Sequence, residues 1–163
     1  MRLLFRSRIR HPLYPGLTAT PAGEAQGPCT AVAGTLPELV QAAARGVRAR
    51  RAIFALHHPG AAVLTETERD ALWQVYQVPL YVLLLDGGGR VLGYECEAQE
   101  GLHLGPHARA ENGVLEAGPC PCGRPGPRLV GGLRAAYGGH GAREKSPSGH
   151  LLLLFQRAGI FVK

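Results

Sequence analysis

Apolar residues recur along this chain with two different periods. After Thr35-Leu36-Pro37-Glu38, the positions Leu36, Leu39, Val40 and Ala43 share one helical face. The threonine and glutamate form a capping box and the proline sits in the first turn, so the pattern predicts a helix beginning here and stopping at Gly46. Residues 52–56, Ala-Ile-Phe-Ala-Leu, form a continuous apolar run of strand length, followed by the turn His57-His58-Pro59-Gly60. A second capping box, Thr65-Glu66-Thr67-Glu68, opens a helix with Ala71, Leu72 and Val75 on one face and Trp73 and Tyr76 beside it. Val78 to Leu85 reads as a buried strand with Pro79 near its start. Asp86-Gly87-Gly88-Gly89 has hairpin-turn chemistry, and Arg90 to Cys96 is the returning strand.

The flanks are less regular. Residues 1–17 are basic and then proline-rich, and residues 18–33, small and polar, predict a mobile loop in which Cys29 stands alone as a spare thiol. Beyond Gly101 the pattern shortens to brief strands and turns, with a second mobile loop over 138–149. His150 to Phe155 and Ile160 to Val162 could pair as a terminal hairpin, a candidate seam for a homo-oligomer. The expectation is one α/β domain spanning 1–163: a small mixed sheet, two or three helices, and a loop-rich C-terminal half ending in a β-hairpin.

Composition sharpens this picture in two places. At 45% hydrophobic residues, 163 residues can bury a core without disulfides. The formal charge is +6 and almost wholly arginine, the only lysines being Lys145 and Lys163. Such a surface can be merely solvated, or it can meet nucleic acid or another anion, a partner the chain admits without favouring it. The charged stretch Met1 to Arg8 has no apolar core of a secretory signal, and the longest apolar run, Leu151 to Phe155, is too short to cross a bilayer. A cytoplasmic protein without membrane attachment is therefore expected, where clustered cysteines signal metal more often than disulfide.

Three of the four cysteines cluster with a histidine: Cys96, His103, Cys120 and Cys122. Thiolate and imidazole donors suit Zn²⁺, and four of them close a tetrahedron, which implies a structural ion with no open position for a catalytic water. Cys120 and Cys122 flank Pro121, and Gly123 frees the backbone to fold back so that both sulfurs converge. His107 is a rival for the fourth ligand, and His57 or His58 could arrive from a distance. Ordinary thiols without metal remain the plainer alternative. A Cys₃His zinc site carries one net negative charge, which Arg124 and Arg128 could offset.

Other groups admit both a functional and a plain reading. Arg124, Arg128 and Arg134 form a candidate anion-binding set beside the cysteine loop. The turn at His57 and His58 ends a strand, where α/β sheets bind ligands, or is simply a surface turn. Glu95 and Glu97 are either an acid/base pair or two carboxylates on a solvated face, the latter being the expectation.

Residues 53–129 resemble the late core of adenylate-forming enzymes of the phenylacetate–CoA ligase and coenzyme F390 synthetase type. The resemblance rests on Arg69-Asp70-Ala71-Leu72 before Val78-Pro79-Leu80-Tyr81, on Glu95-Cys96 with Gly101-Leu102-His103, and on Cys120-Pro121-Cys122-Gly123-Arg124 through Pro127-Arg128, in that order. It implies zinc at these cysteine and histidine positions. The departures are as informative. The family's Y-G-x-x-E motif is replaced after Tyr81 by Val82-Leu83-Leu84-Leu85-Asp86, and Leu104–Pro119 contains no ribose-binding aspartate. No phosphate-binding loop or lid with a catalytic lysine is evident. Adenylation needs Mg²⁺, phosphate-loop amides and a lysine around the α-phosphate. What the resemblance implies is therefore a non-catalytic zinc-binding remnant that serves as an interaction or small-ligand module for an unknown protein or ligand. The alternatives are an acyl- or nucleotide-binding accessory of an acyl-CoA ligase, or a basic zinc module on nucleic acid.

Overall fold

The computed structural model describes residues 9–58, 64–105, 108 and 114–131. In chain order the elements are β1 (Ile9–Arg10), β2 (Thr18–Pro21), β3 (Pro28–Gly34), α1 (Leu36–Ala44), β4 (Arg48–His57), α2 (Glu66–Tyr76), β5 (Leu80–Leu85), β6 (Val91–Glu95), β7 (Leu102–Leu104), β8 (Val114–Glu116) and β9 (Arg128–Gly131). They form a mixed α/β fold. Among the described residues no helix is long and apolar enough to cross a membrane.

Both helices start where their capping boxes place them. The Glu38 carboxylate accepts from the Thr35 N–H at 2.8 Å, and that of Glu68 from the Thr65 N–H at 2.7 Å. α1 gives way at Gly46, whose φ of +82° suits glycine. α2 ends instead at Gln77, held left-handed at φ 56° while its N–H donates to the Trp73 carbonyl at 2.8 Å.

Among the described residues all nine strands belong to one sheet, in the order β1-β2-β3-β4-β5-β6-β7-β9-β8. β2 to β5 are parallel and the remainder pairs antiparallel. The sheet is thus large, not small as the sequence suggests. Most of the difference comes from residues 18–33, which are not a mobile loop but contain β2 and β3. Their inward residues Ala19, Ala31 and Ala33 are fully buried. Such small side chains leave no apolar run in the sequence; they lie flat because Phe54 and Leu83 fill the space above them. The 138–149 segment, the terminal hairpin and its proposed seam lie outside the described residues.

Two consecutive β-α-β crossovers join β3, β4 and β5, and right-handed crossovers in one direction put both helices on the same face. There Val32, Leu39, Val40, Ile53, Leu72 and Val82 pack together. The Tyr76 hydroxyl locks the helices by donating to the Leu39 carbonyl at 2.6 Å. The opposite face buries Phe54, Leu83 and Leu85, packed by Ile9, Tyr14 and Leu17 from the amino-terminal segment.

The β5–β6 hairpin forms as its turn chemistry predicts. The Asp86 carboxylate accepts from the Gly88 and Arg90 N–H groups at 2.8 and 2.9 Å, which with the Arg90 guanidinium holds its pKa below the ordinary carboxylate range. This hairpin carries the chain from the parallel half of the sheet to the antiparallel half.

Candidate metal centre

Cys96 follows β6 directly. The next residues turn sharply: the Gln99 N–H donates to the Cys96 carbonyl at 3.0 Å, with Gln99 left-handed at φ 55°. The Gln99 side chain secures this turn by donating to the Leu80 carbonyl at 2.8 Å. Gly101 then brings the chain back at φ +90°, and a Cβ there would stand 2.6 Å from the Leu129 carbonyl oxygen, so backbone geometry and space both require glycine. β7 pairs with β6 so that His103 opposes Tyr94, and their rings stack 5.4 Å apart.

Cys120 and Cys122 approach on the loop before β9, which pairs with β7 through His103 and Arg128. The Gly123 N–H closes the turn onto the Cys120 carbonyl at 2.8 Å, with Gly123 at φ +76°. Two hairpin-like turns on adjacent strands therefore face each other. Each also aims a backbone N–H at a sulfur: that of Ala98 at Cys96 and that of Arg124 at Cys122. Such donors stabilise thiolate charge around a metal.

The ligand atoms of Cys96, His103, Cys120 and Cys122 all lie within 4.8 Å of one another, so these residues could hold a metal ion. The Cys96 and Cys120 sulfurs are 3.6 Å apart, and the Cys122 sulfur is 3.4 Å from His103 Nε2. Two sulfurs bound tetrahedrally at ~2.3 Å from Zn²⁺ would be separated by about 3.8 Å. A disulfide would need about 2.05 Å, and all four cysteines are free. Cys96, His103 and Cys120 are buried and Cys122 is half-buried.

The thiols differ electrostatically. Burial pushes Cys96 up to about 11. Burial opposes ionisation of Cys122 as well, but the Arg124 N–H, the Cys120 thiol and the Arg124 guanidinium outweigh it and hold Cys122 down to about 6. A divalent ion would supply the charge that lets the deeper thiols ionise too.

The basic residues near the loop behave differently from the expected anion site. Arg124 does serve the cysteines, but its guanidinium also pairs with Glu97 at 2.8 Å. Arg128 is buried and clamped by Glu116 at 2.6 Å and Glu100 at 3.3 Å. Both are paired with carboxylates that are remote in sequence. Arg134 and the rival ligand His107 lie outside the described residues. His57 is a buried strand residue at the end of β4, and neither it nor His58 belongs to the metal-ligand group. Strands β2 to β5 follow sequence order.

Glu95 departs from the solvated-face expectation. It is only 4% exposed, its carboxylate pairs with Arg69 of α2, and it accepts from the Val82 N–H at 2.9 Å. Glu97 alone is exposed. His11 went unnoticed among the proline-rich residues. Leu13 N–H donates to its Nδ1 at 3.1 Å, so Nε2 carries the proton and donates to the Glu95 carbonyl at 2.9 Å. Burial lowers its pKa to about 4, keeping the ring neutral. Glu95 and His11 together fix the strand end from which Cys96 projects. No sequence signal marks either role, because each depends on a partner more than twenty residues away.

No protein-family model matches this chain, and no curated protein sequence matches it.

Proposed function

We propose that the chain is a non-catalytic zinc protein in which one structural Zn²⁺ staples the β6–β7 turn to the loop before β9. The convergence of four soft donors within 4.8 Å, two pairs of them 3.6 and 3.4 Å apart, carries this reading. Four protein ligands leave no position for a reactive water, so the ion would act by holding structure. Among the described residues the stapled half has three- and four-residue strands, β7, β8 and β9. Strands this short form few ladder hydrogen bonds, so an ion tying their turns together would add to their stability.

The kinship we infer is with the core of the phenylacetate–CoA ligase type, stripped of its nucleotide chemistry. Its support is that the segments carrying the resemblance are those that meet in space: Arg69 pairs with Glu95, and Cys96, His103, Cys120 and Cys122 converge. The resulting module would present a ligand- or protein-binding surface in the cytoplasm. Elemental analysis of the purified protein tests the metal, with about one zinc per chain expected and its absence after refolding with Zn²⁺ decisive against it. Calorimetry with ATP, AMP and acyl-CoA tests the loss of nucleotide chemistry; heat from any of them would favour the ligase-accessory alternative.

A further inference from the structure

Most of the open positive charge of the described residues lies away from the metal centre, around the start of β4, with Arg10 on β1 the exception. Arg45, Arg48, Arg50 and Arg51 fall within seven residues and all are exposed. Among the described residues none is in an ion pair, unlike Arg69, Arg90, Arg124 and Arg128. Arg45 donates to the Ala22 carbonyl at 2.6 Å and Arg48 to the Val47 carbonyl at 3.1 Å, contacts that orient the guanidinium groups without neutralising them.

Local geometry singles out the same place. Cys29 opposes Ala49 while Ala31 opposes Ala52, so Arg50 and Arg51 together face Thr30 across a β-bulge. Bulges re-aim side chains and recur beside functional sites. Here the bulge adjoins a cavity of about 360 Å³ lined by Tyr14, Gly16, Leu17, Arg51, Ala52 and Tyr81. The Tyr14 and Tyr81 hydroxyls are hydrogen-bonded at 3.2 Å, which holds both rings in place. Among the described residues no carboxylate lines the cavity.

We propose that this end of the sheet binds single-stranded nucleic acid, with backbone phosphates along Arg45, Arg48, Arg50 and Arg51 and one base in the tyrosine-walled cavity. Arginines for the backbone beside an aromatic surface for a base are the two components such sites combine. The run from Arg48 to Arg51 alone extends about 10 Å at strand rise, more than a single anionic head group spans. A polyanion therefore fits it better than a mononucleotide. The site is independent of the metal and of the ligase kinship.

The test is fluorescence anisotropy of the full chain with labelled oligo-dT and oligo-U at several salt concentrations. Four phosphate contacts predict a log–log salt slope of roughly −3. Arg50→Glu with Arg51→Glu should weaken binding at least about tenfold and flatten the slope, with circular dichroism unchanged. Arg90→Glu, a single charge reversal at the β5–β6 turn, should leave affinity within about twofold. Tyr14→Ala should cost about tenfold with the slope kept. Absence of binding at 50 mM salt, equal losses in the Arg90 and Arg50/Arg51 variants, or equal competition by polyglutamate would overturn the proposal. Saturation of the site by a mononucleotide as tightly as by the oligomer would overturn it in favour of a small ligand. If the double reversal unfolds the chain, Arg50→Gln with Arg51→Gln replaces it, and an unaltered slope there is equally fatal.

Discussion

Replacing Cys120 by serine isolates the contribution of the metal. The side chain is 3% exposed and its sulfur lies 3.6 Å from that of Cys96. A serine hydroxyl fills nearly the same space but does not ionise near neutrality, so a bound zinc would keep three strong ligands at most. At free metal about a hundred to a thousand times the dissociation constant, zinc linkage stabilises a fold by ~3–4 kcal/mol. A buried hydroxyl short of partners adds about 1 kcal/mol. For a chain of this size each kcal/mol moves the melting temperature by roughly 2–4 °C, so Cys120→Ser should melt some 10–15 °C lower. The assay is calorimetry of wild type and variant, each with and without a chelator. Chelation should lower the wild type by most of that amount and leave the variant where it is, because both perturbations remove the same interaction. The helical far-ultraviolet signal at 25 °C should survive, since α1 and α2 pack on the parallel half of the sheet. Equal responses of the two proteins to chelator, or unchanged melting of the variant, would refute a structural metal.

Three further outcomes follow from single side chains. Gly101→Ala sets a Cβ 2.6 Å from the Leu129 carbonyl at an unfavourable φ, so denaturant titration should show a loss of about 2–4 kcal/mol together with weaker metal retention. Glu95→Gln leaves Arg69 as a largely buried charge without its counterion; a loss of about 3–5 kcal/mol is expected, partly recovered by adding Arg69→Met. The His11 ring, lowered from 6.5 to about 4, must be neutral to accept from the Leu13 N–H. Between those values the unfolded chain binds a proton that the native chain does not. Stability is therefore complete above pH 6.5 and falls on acidification to about pH 4, by on the order of 3 kcal/mol from this group. Comparing wild type with His11→Asn, both in chelator so that metal loss does not contribute, should show a smaller acid loss in the variant. Parallel pH profiles would remove His11 from the account.

The legible parts of the fold were those whose cause is local. A capping box is written within four residues, and Thr35–Glu38 and Thr65–Glu68 place the helix starts correctly. Asp86-Gly-Gly-Gly closes a hairpin through its own carboxylate. β2 and β3 were not legible, because alanine strands declare themselves only when larger residues on neighbouring strands close over them. The candidate metal site was legible for a chemical reason: few side chains other than cysteine and histidine bind soft cations, so their clustering survives ignorance of the fold. The arginines were not, since a guanidinium is written identically whether it faces water or is enclosed like Arg128 between Glu100 and Glu116.

The residues alone therefore determined where helices begin, where the hairpin turns, and which four soft donors are the candidate ligands. Those outcomes depend on forces acting over a few bonds or on donor chemistry. Tertiary structure decided the rest: that the nine described strands join one sheet, that Glu95 is buried against Arg69, and that four exposed arginines without an ion pair cluster around the start of β4. Burial and charge pairing are properties of distance through space, and the distances that matter here join residues far apart along the chain.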